Sequence, residues 1–511
     1  MERKWWTLLV VCIATFMLLL DITIVNVALP KIASDLHASF SDIQWVVNAY
    51  ALTLASLLLT AGSLADLFGR RLVFTVGLGL FAFASLLCAL SPSALFLIIA
   101  RGLQGIGGAA MYATSLALLV QEFHGRERGT ALGIWGATIS AAAAIGPLLG
   151  GALTEGFGWS SIFYINVPIG IGAAVLALRT VGESRNPEGT SVDWIGTITF
   201  TASLFLLVLA LIRGNEAGWG SAEIVTLLAG AAISMVVFVI SQFVQDNAML
   251  DMSLFRKPAF TGASLVALAL SSSMFAMFLY LTLYLQTILG LSPLQTGLRF
   301  LPFTVVSFFV SALSGNLSAR VPVRFLLGIG LVLVGAGLLM MRGLTAVSAW
   351  TALLGGFIVS GAGTGLINPA LASTAVGVVH PRRSGMASGI NNTFRQVGIA
   401  TGIAVLGALF ESEITSELVP SLASTPAASH AHAIGHAVAA GGASGVLHAT
   451  PPAQRPSATL AVHGAFASAM NEILLVAAIV AFAGAALGLL LVRSRDFVTY
   501  AAPEPAAAAA G

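Results

Sequence analysis

Asp21 and Arg101 are charged residues that lie inside long apolar stretches of this chain. A charge in hydrocarbon is costly and is placed against a partner or a polar cavity, so both residues are candidates for function. Because hydrocarbon disfavours the ionised form of a carboxyl group, Asp21 is a candidate proton carrier. The alternative is a structural carboxylate that neighbouring hydroxyl groups, such as that of Thr23, satisfy.

The two charges are expected at the same depth. Asp21 lies nine residues before Pro30, and Arg101 lies nine residues after Pro92. At 1.5 Å per helical residue, both are about 13 Å below the outer surface, so an ion pair between them is permitted. The alternative for Arg101 is a structural role in which it joins helices through backbone carbonyl groups.

A second set of charges occupies a short polar turn between two apolar runs. Its sequence is Gly62-Ser63-Leu64-Ala65-Asp66-Leu67-Phe68-Gly69-Arg70-Arg71. Two apolar runs joined by a tight polar turn predict a transmembrane hairpin. The alternative interpretation is a solvated turn whose arginines only follow the excess of positive charge on cytoplasmic loops.

Composition predicts an all-α integral membrane protein. Of the 511 residues, 57% are hydrophobic and 9% are charged, with a mean hydropathy of +0.95. Soluble domains carry about 25% charged residues. Apolar runs long enough to cross about 30 Å of hydrocarbon give fourteen predicted spans. The spans are 5–29, 44–64, 72–90, 94–120, 130–153, 162–180, 193–212, 222–243, 259–289, 296–318, 325–343, 349–378, 385–410 and 466–492.

Charge placement and an internal repeat predict the topology. Most of the 23 lysine and arginine residues lie on the side of the N-terminus, which predicts that both termini are cytoplasmic. The turn at 62–71 follows the second span, and the similar segment Gly315–Arg320 follows the tenth. This spacing predicts two six-helix bundles with two additional helices between them, a 6+2+6 arrangement.

The predicted division of the chain follows from that arrangement. We expect an N-terminal bundle (1–180), two additional helices beside the bundles (181–255), a C-terminal bundle (256–500) and a flexible tail (501–511). The outer loop 412–463 is rich in Ala, Gly, Ser, Pro and His, and we expect it to be disordered. Its histidines have no cysteine partners, so no metal site is predicted.

Several motifs carry a family resemblance. The pattern Gly-x-Leu-x-Asp-x-x-Gly-Arg-Arg at 62–71 resembles the signature loop between the second and third helices of the major facilitator superfamily. Other segments resemble motifs of that superfamily or of its fourteen-span drug:proton antiporter branch. These segments are Leu20–Pro30, Arg101–Ala110, Ala141–Gly151, Trp159–Gly170 and Gly385–Gln396. The resemblance covers most of the chain and fails in the outer loop and the tail.

The resemblance implies roles for these residues. Asp21 and Arg101 would couple transport to protons, and the turn would latch the cytoplasmic side shut. The residues of the predicted latch are Gly62, Asp66, Gly69, Arg70, Arg71 and Glu122. The fifth-helix motif is associated with antiporters, and its residues are Gly146, Pro147, Gly150 and Gly151.

A latch of this kind has a physical basis in the sequence. The thirteenth span begins with Ser384 as a candidate N-cap, so its free amide groups and positive dipole end would point to the cytoplasm. We expect Asp66 to be attracted to that end. Arg70 would pair with Glu122 at the end of the fourth span.

The ninth span supplies methionine and aromatic side chains, which form an adaptable surface for bulky apolar ligands. The alternative for these side chains is lipid contact or packing. Amide and hydroxyl groups on other spans would add polar contacts. The predicted substrate cavity comprises Asn26, Asn48, Tyr50, Gln104, Met274, Phe275, Phe278, Tyr280 and Asn368.

The sequence contains no GxxxxGK[ST] nucleotide-binding loop, no embedded metal cluster and no basic cluster typical of nucleic-acid binding. We therefore expect neither an enzyme nor an ATP-driven pump, and no cofactor other than a proton gradient. The prediction is a monomeric exporter in the cell membrane that exchanges protons for an amphipathic organic compound, cationic or neutral. Two alternatives stay open: a facilitator-type carrier for a specific metabolite or lipid, and a membrane sensor that transports nothing.

Overall fold

A computed structural model describes residues 2–38, 40–185, 192–245, 248–318, 320–380, 384–422, 431–439 and 442–497. Within these ranges the regular elements are helices, and no strand occurs among them. The expectation of an all-α fold is therefore confirmed for this part of the chain. The predicted tail, 501–511, lies outside it.

The first six predicted spans form seven helices. These are α1 (Arg3–Asp35), α2 (Phe40–Phe68), α3 (Arg70–Ala89), α4 (Ala94–Glu122), α5 (Gly125–Phe157), α6 (Ser161–Tyr164) and α7 (Asn166–Thr180). Gly69 joins α2 to α3 with a φ of 121°, a conformation that favours glycine. α1 packs against α5, while α2 and α3 both pack against α4.

The two additional helices are α8 (Trp194–Ala217) and α9 (Ala222–Val244). Asp193 caps α8 by accepting a hydrogen bond from the Gly196 amide at 2.6 Å, and it accepts a second bond from Gln242 Nε2 at 2.7 Å. This carboxylate therefore joins the beginning of α8 to the end of α9. α9 packs against α8, and α8 packs against both α2 and α15.

The described residues after α9 form nine α-helices. These are α10 (Pro258–Leu270), α11 (Ala276–Leu283), α12 (Pro293–Leu317), α13 (Val323–Met340), α14 (Leu354–Gly377), α15 (Ser384–Leu422), α16 (Ala431–Ala439), α17 (Ala443–Ala449) and α18 (Arg455–Leu491). π-helical turns at Ser271–Phe275 and Tyr284–Ile288 precede and follow α11. The ninth predicted span is thus one helical rod with two π turns, a feature that is frequent at functional sites.

The segment 412–463, which the sequence predicts to be a disordered outer loop, contains helices in the structure. α15 continues to Leu422, α18 begins at Arg455, and α16 and α17 lie between them, while 423–430 and 440–441 are outside the described residues. Alanine favours helix in this composition. Val438 and Ala443 are buried against the core of the C-terminal helices. Tertiary packing therefore stabilises helices that could not be predicted from the low-complexity composition of the segment.

Thirteen helical segments among the described residues are long and apolar enough to cross a membrane. They correspond to every predicted span except the fifth, 130–153. That span falls within α5, which is rich in glycine and alanine. α5 is enclosed by other helices, since it packs against α1 and α12.

Helices α1 to α7 (the N-terminal half) and helices α10 to α18 (the C-terminal half) meet through two main helix pairs, α2 with α15 and α5 with α12. Backbones approach closely at one end of both pairs: a Cβ placed on Gly389 would lie 2.8 Å from Leu58 O, and one on Gly133 would lie 3.1 Å from Ser311 O. We call this end, where Asp66 lies, the Asp66 end. The two halves are in contact there.

Candidate functional site

Asp21 is the centre of a buried polar cluster in the N-terminal half. Its carboxylate is fully buried and accepts hydrogen bonds from three side chains. Oδ2 accepts from Arg101 Nη1 at 2.5 Å, while Oδ1 accepts from Gln104 Nε2 at 2.9 Å and from Asn166 Nδ2 at 3.1 Å. Since α1, α4 and α7 each supply a member, this carboxylate joins three helices.

Arg101 has contacts on every side of its guanidinium group. Besides Asp21, Nη1 donates to Gln104 Oε1 at 2.5 Å, and Nε donates to the Val46 carbonyl at 3.0 Å. The guanidinium carbon lies 4.3 Å from the centre of the Tyr50 ring and 5.8 Å from that of Phe163. Aromatic faces stabilise a cation at such distances. The charge is therefore buried but compensated.

The structure joins Asp21 and Arg101, which the sequence placed at the same depth, and it adds Gln104 and Tyr50, which the sequence assigned to the substrate cavity. It adds Asn166 of α7 and Ser85 of α3, whose hydroxyl accepts from Gln104 Nε2 at 2.8 Å. Neither residue was predicted as a site residue, although an asparagine inside an apolar span is a signal that identifies Asn166.

The alternative in which hydroxyl groups satisfy Asp21 does not hold for Thr23. Its hydroxyl donates to the Leu20 carbonyl of its own helix at 3.0 Å. Asn48 is partly buried in α2. The side chains of Asn26 and Pro147, both predicted site residues, lie outside the described part of the structure.

Asp66 forms a second buried site, between the two halves. Its Oδ1 accepts from the Gly385 amide at 3.1 Å, and Oδ2 accepts from the Met386 amide at 2.9 Å. These are free amides in the first turn of α15, where the helix dipole also favours an anion. Arg70 donates to Asp66 Oδ1 through Nε at 2.9 Å and Nη2 at 2.8 Å.

The predicted pairing of Arg70 with Glu122 is wrong. Arg70 faces Asp66 one turn earlier in the chain, because the positive φ of Gly69 folds the start of α3 back over the end of α2. Glu122 instead lies 3.7 Å from Arg3 Nη2 at the beginning of α1. Both ion pairs are at the Asp66 end, but only the one at Asp66 reaches the C-terminal half.

The segment that follows α7 forms hydrogen bonds with the beginning of α3, directly after the turn. Glu183 accepts hydrogen bonds from the amides of Arg71 at 3.0 Å and Leu72 at 3.1 Å, and so caps α3. The Arg70 amide donates to the Ser184 carbonyl at 2.9 Å. Glu183 was not nominated from sequence, because its partners are more than a hundred residues away.

Glycines set the spacing between helices. A Cβ on Gly62 of α2 would overlap the Gly385 carbonyl oxygen of α15, and one on Gly146 of α5 would overlap the Thr23 side chain of α1. Gly150 is buried, whereas a Cβ on Gly151 would make an ordinary contact at 4.0 Å from Leu294. Small residues allow such close helix approach.

Gly62→Ala is expected to destabilise the protein by about 1–3 kcal/mol, the usual cost of overpacking. The obstacle is a backbone carbonyl, so α2 and α15 must separate for the methyl group to fit. The midpoint of thermal unfolding measures the effect. Gly79→Ala is the matched control, since no atom lies within 4 Å of its new Cβ. Equal midpoints for the two variants would show that α2 and α15 do not pack through Gly62.

The predicted cavity residues of the ninth span lie apart from the Asp21 cluster. Met274 and Tyr280 are buried in the C-terminal half, and the Tyr280 hydroxyl donates to the Ile403 carbonyl at 2.6 Å. The Phe278 ring lies 4.9 Å from that of Phe303, and Phe275 packs beside it. The packing interpretation therefore describes these four side chains.

Asn368, the last predicted cavity residue, lies in α14 and is fully buried. Its Oδ1 accepts a hydrogen bond from Arg395 Nη2 at 2.8 Å. Arg395 of α15 is itself buried, although from sequence it was only part of a segment that resembles a family motif.

Comparison with known proteins agrees with this architecture. The family model of the Major Facilitator Superfamily matches residues 11–403. The chain is 37% identical over 404 residues to the Multidrug resistance protein Stp of Mycobacterium tuberculosis (strain CDC 1551 / Oshkosh), covering 79% of this chain and 75% of that protein. It is 33% identical over 413 residues to the Tetracenomycin C resistance and export protein of Streptomyces glaucescens, covering 81% and 77%.

A solved structure shares the fold. It is a bacterial homologue of the human lysosomal transporter Spinster in an inward-facing, unoccupied conformation, with a TM-score of 0.58 and 17% identity. The match covers 98% of this chain and 99% of that one.

Proposed function

The chain belongs to the Major Facilitator Superfamily and is a multi-pass membrane transporter, not an enzyme, and we propose that it is a proton-coupled antiporter that exports amphipathic organic compounds. Relatives named for multidrug resistance, and for tetracenomycin C resistance and export, support a drug-like substrate. The proton gradient would supply the driving force, without a cofactor.

The observation that carries the proposal is the buried carboxylate of Asp21. It accepts hydrogen bonds from two neutral amides, of Gln104 and Asn166, and from the positively charged guanidinium group of Arg101. Protonation would remove the negative charge from this ion pair and weaken the contacts of α1 with α4 and α7. A proton would thereby bias the equilibrium between two conformations, which is the requirement for coupling.

The conformational change would be alternating access. We assign the Asp66 end to the cytoplasm, with both termini inside, so that the contacts of Asp66 with α15 close the inner side. The division into 1–180, 181–255, 256–500 and 501–511 and the count of fourteen spans, with α5 as the fifth, belong to this proposal. We place a monomer in the cell membrane.

Dye transport tests the proposal. A fluorescent amphipathic dye is expected to accumulate in inverted vesicles that contain the protein only when an imposed pH gradient makes their interior acidic. Dye accumulation that is the same with and without the pH gradient would favour a facilitator-type carrier. No protein-dependent flux of any dye in a panel of amphipathic compounds would favour a sensor.

A further inference from the structure

A second buried polar cluster lies in the C-terminal half, where α14 and α15 face α4. Arg395 is 5% exposed, Asn391 3%, and Asn368 and Asn392 are fully buried. The Arg395 guanidinium contacts Asn368 Oδ1 at 2.8 Å and lies beside the Tyr112 hydroxyl. Asn392 Nδ2 donates to the Tyr112 carbonyl at 3.3 Å, so the cluster spans the boundary between the two halves.

Polar atoms in this cluster are left without partners. Among the described residues, none offers a hydrogen-bond partner to Arg395 Nε, Asn368 Nδ2 or Asn391 Nδ2, all of which are donors. The Asn392 Oδ1 acceptor and the hydroxyls of Ser388 and Thr364 are in the same condition. Buried polar groups are normally hydrogen-bonded, and a concentration of exceptions requires an explanation.

The charge balance of the cluster is also incomplete. No carboxylate of the described residues forms an ion pair with Arg395, whereas the equally buried Arg101 is paired with Asp21. An uncompensated buried cation is strongly unfavourable. Arg101 and the buried Arg70 are thus each paired with a carboxylate of the protein, whereas among the described residues Arg395 has no anionic partner.

The geometry points to Arg395, with Asn368 and Asn391, as the subsite that binds the carboxylate of an acidic amphipathic substrate. This inference rests on the proposed export function and names the substrate class, which differs from the cationic or neutral compound expected from the sequence. A guanidinium group presents parallel donors that match the two oxygens of a carboxylate. The apolar part of the same substrate would lie against the surrounding aromatic and aliphatic side chains.

The position of the subsite fits a carrier. α4 belongs to the N-terminal half, and α14 and α15 belong to the C-terminal half, so a carboxylate bound here lies where the halves separate. Tyr112 on one side and Arg395 on the other give the ligand contacts that depend on the conformation of the carrier. Such differential contacts are what allow a ligand to shift a conformational equilibrium.

Binding without any pH gradient tests the inference separately from export. The probes are dansyl-phenylalanine and its methyl ester, which differ in one carboxylate and share the same apolar groups. Fluorescence titration of the full-length protein in nanodiscs is expected to show at least tenfold tighter binding of the acid. Equal affinities, or tighter binding of the ester, would overturn the inference even if dye export follows the pH gradient.

Variants of Arg395 identify the subsite. Arg395→Gln is expected to reduce the acid-to-ester preference to about one, and Arg395→Lys to retain part of it, since lysine keeps the charge but loses the paired donors. The matched control is Arg342→Gln, which replaces an exposed arginine just after α13. This variant should keep the full preference for the acid. A full preference in Arg395→Gln would assign the carboxylate to another site. The acid and ester comparison in the unmodified protein stands without any variant.

Discussion

Replacing Asp21 by asparagine is expected to reduce pH-driven exchange to the passive rate. Asparagine has nearly the same shape, so the hydrogen bonds from Gln104 and Asn166 to its oxygen can persist. It carries no charge that a proton could neutralise, and it therefore resembles the protonated state permanently. Substrate binding should be retained, because asparagine mimics the protonated carboxyl group and adds no bulk.

The same change should cost stability, because it leaves Arg101 buried without its anion. Removing one partner of a buried ion pair typically destabilises a protein by about 3–5 kcal/mol. The double variant Asp21→Asn/Arg101→Gln removes both charges and is expected to recover much of that loss without recovering coupling. Comparing the thermal midpoints and uptake rates of the two variants separates the structural effect from the coupling effect.

Asp35→Asn is the matched control for Asp21. Asp35 also lies on α1 and pairs with Lys31 at 2.8 Å, but this pair is exposed. Exposed ion pairs contribute about 0–1 kcal/mol, so both stability and pH-driven uptake should remain close to the unmodified protein. Uptake by Asp21→Asn vesicles that follows the pH gradient at the unmodified rate would remove Asp21 from the mechanism.

The ion pair at Asp21 illustrates what sequence can predict. A helix rises by a fixed distance per residue, and Pro30 and Pro92 mark positions near the helix ends, so the depth of each charge follows from counting. Asn166 could not be placed in the same way, because the sixth span is interrupted before α7 begins. Its contact with Asp21 depends on how α7 packs, which no local pattern records.

Arg70 and the segment 412–463 show two other limits of prediction from sequence. From sequence, Arg70 was paired with Glu122, whereas its partner in the structure is Asp66, and this pairing depends on the φ of one glycine, Gly69. The helices α16 and α17 depend on contacts of Val438 and Ala443 with a core assembled from distant segments. Composition indicates whether a segment forms a helix on its own, whereas burial against distant helices determines whether it is helical in the protein.

The burial of Arg395 could have been predicted from sequence, but this residue was not selected as a candidate. Its burial could have been expected from its place in the thirteenth span, eleven residues after Ser384. That none of the described carboxylates pairs with it could not have been expected, because this requires knowing every side chain around Arg395. Arg101 and Arg395 therefore became distinguishable only when their neighbours were placed.

Asp66→Asn is expected to open the Asp66 end and to slow turnover. The carboxylate binds two amides of α15 and the Arg70 guanidinium, so it holds the C-terminal half to the N-terminal half with charge-assisted hydrogen bonds. Hydrogen bonds to charged groups contribute about 1.5–3 kcal/mol each. Asparagine keeps one acceptor but loses the charge, and a loss of about 1.4 kcal/mol already shifts the conformational equilibrium tenfold.

Spin labels measure the opening directly. Phe68 at the end of α2 and Leu317 at the end of α12 are exposed and belong to different halves, and labels there require replacement of Cys12 and Cys88. Asp66→Asn should move the distance distribution to longer values and retain substrate binding from that side.

Asp496→Asn is the matched control for Asp66, because Asp496 accepts a hydrogen bond from the Ala259 amide at the beginning of α10 at 3.0 Å, within one half. Losing that cap should lower the thermal midpoint without changing the distance between the labels, since both of its partners move together. If the Asp66→Asn distribution instead coincides with that of the Asp496→Asn control, the contact of Asp66 with α15 does not set the conformational equilibrium, and the turn acts only as a solvated connection between α2 and α3.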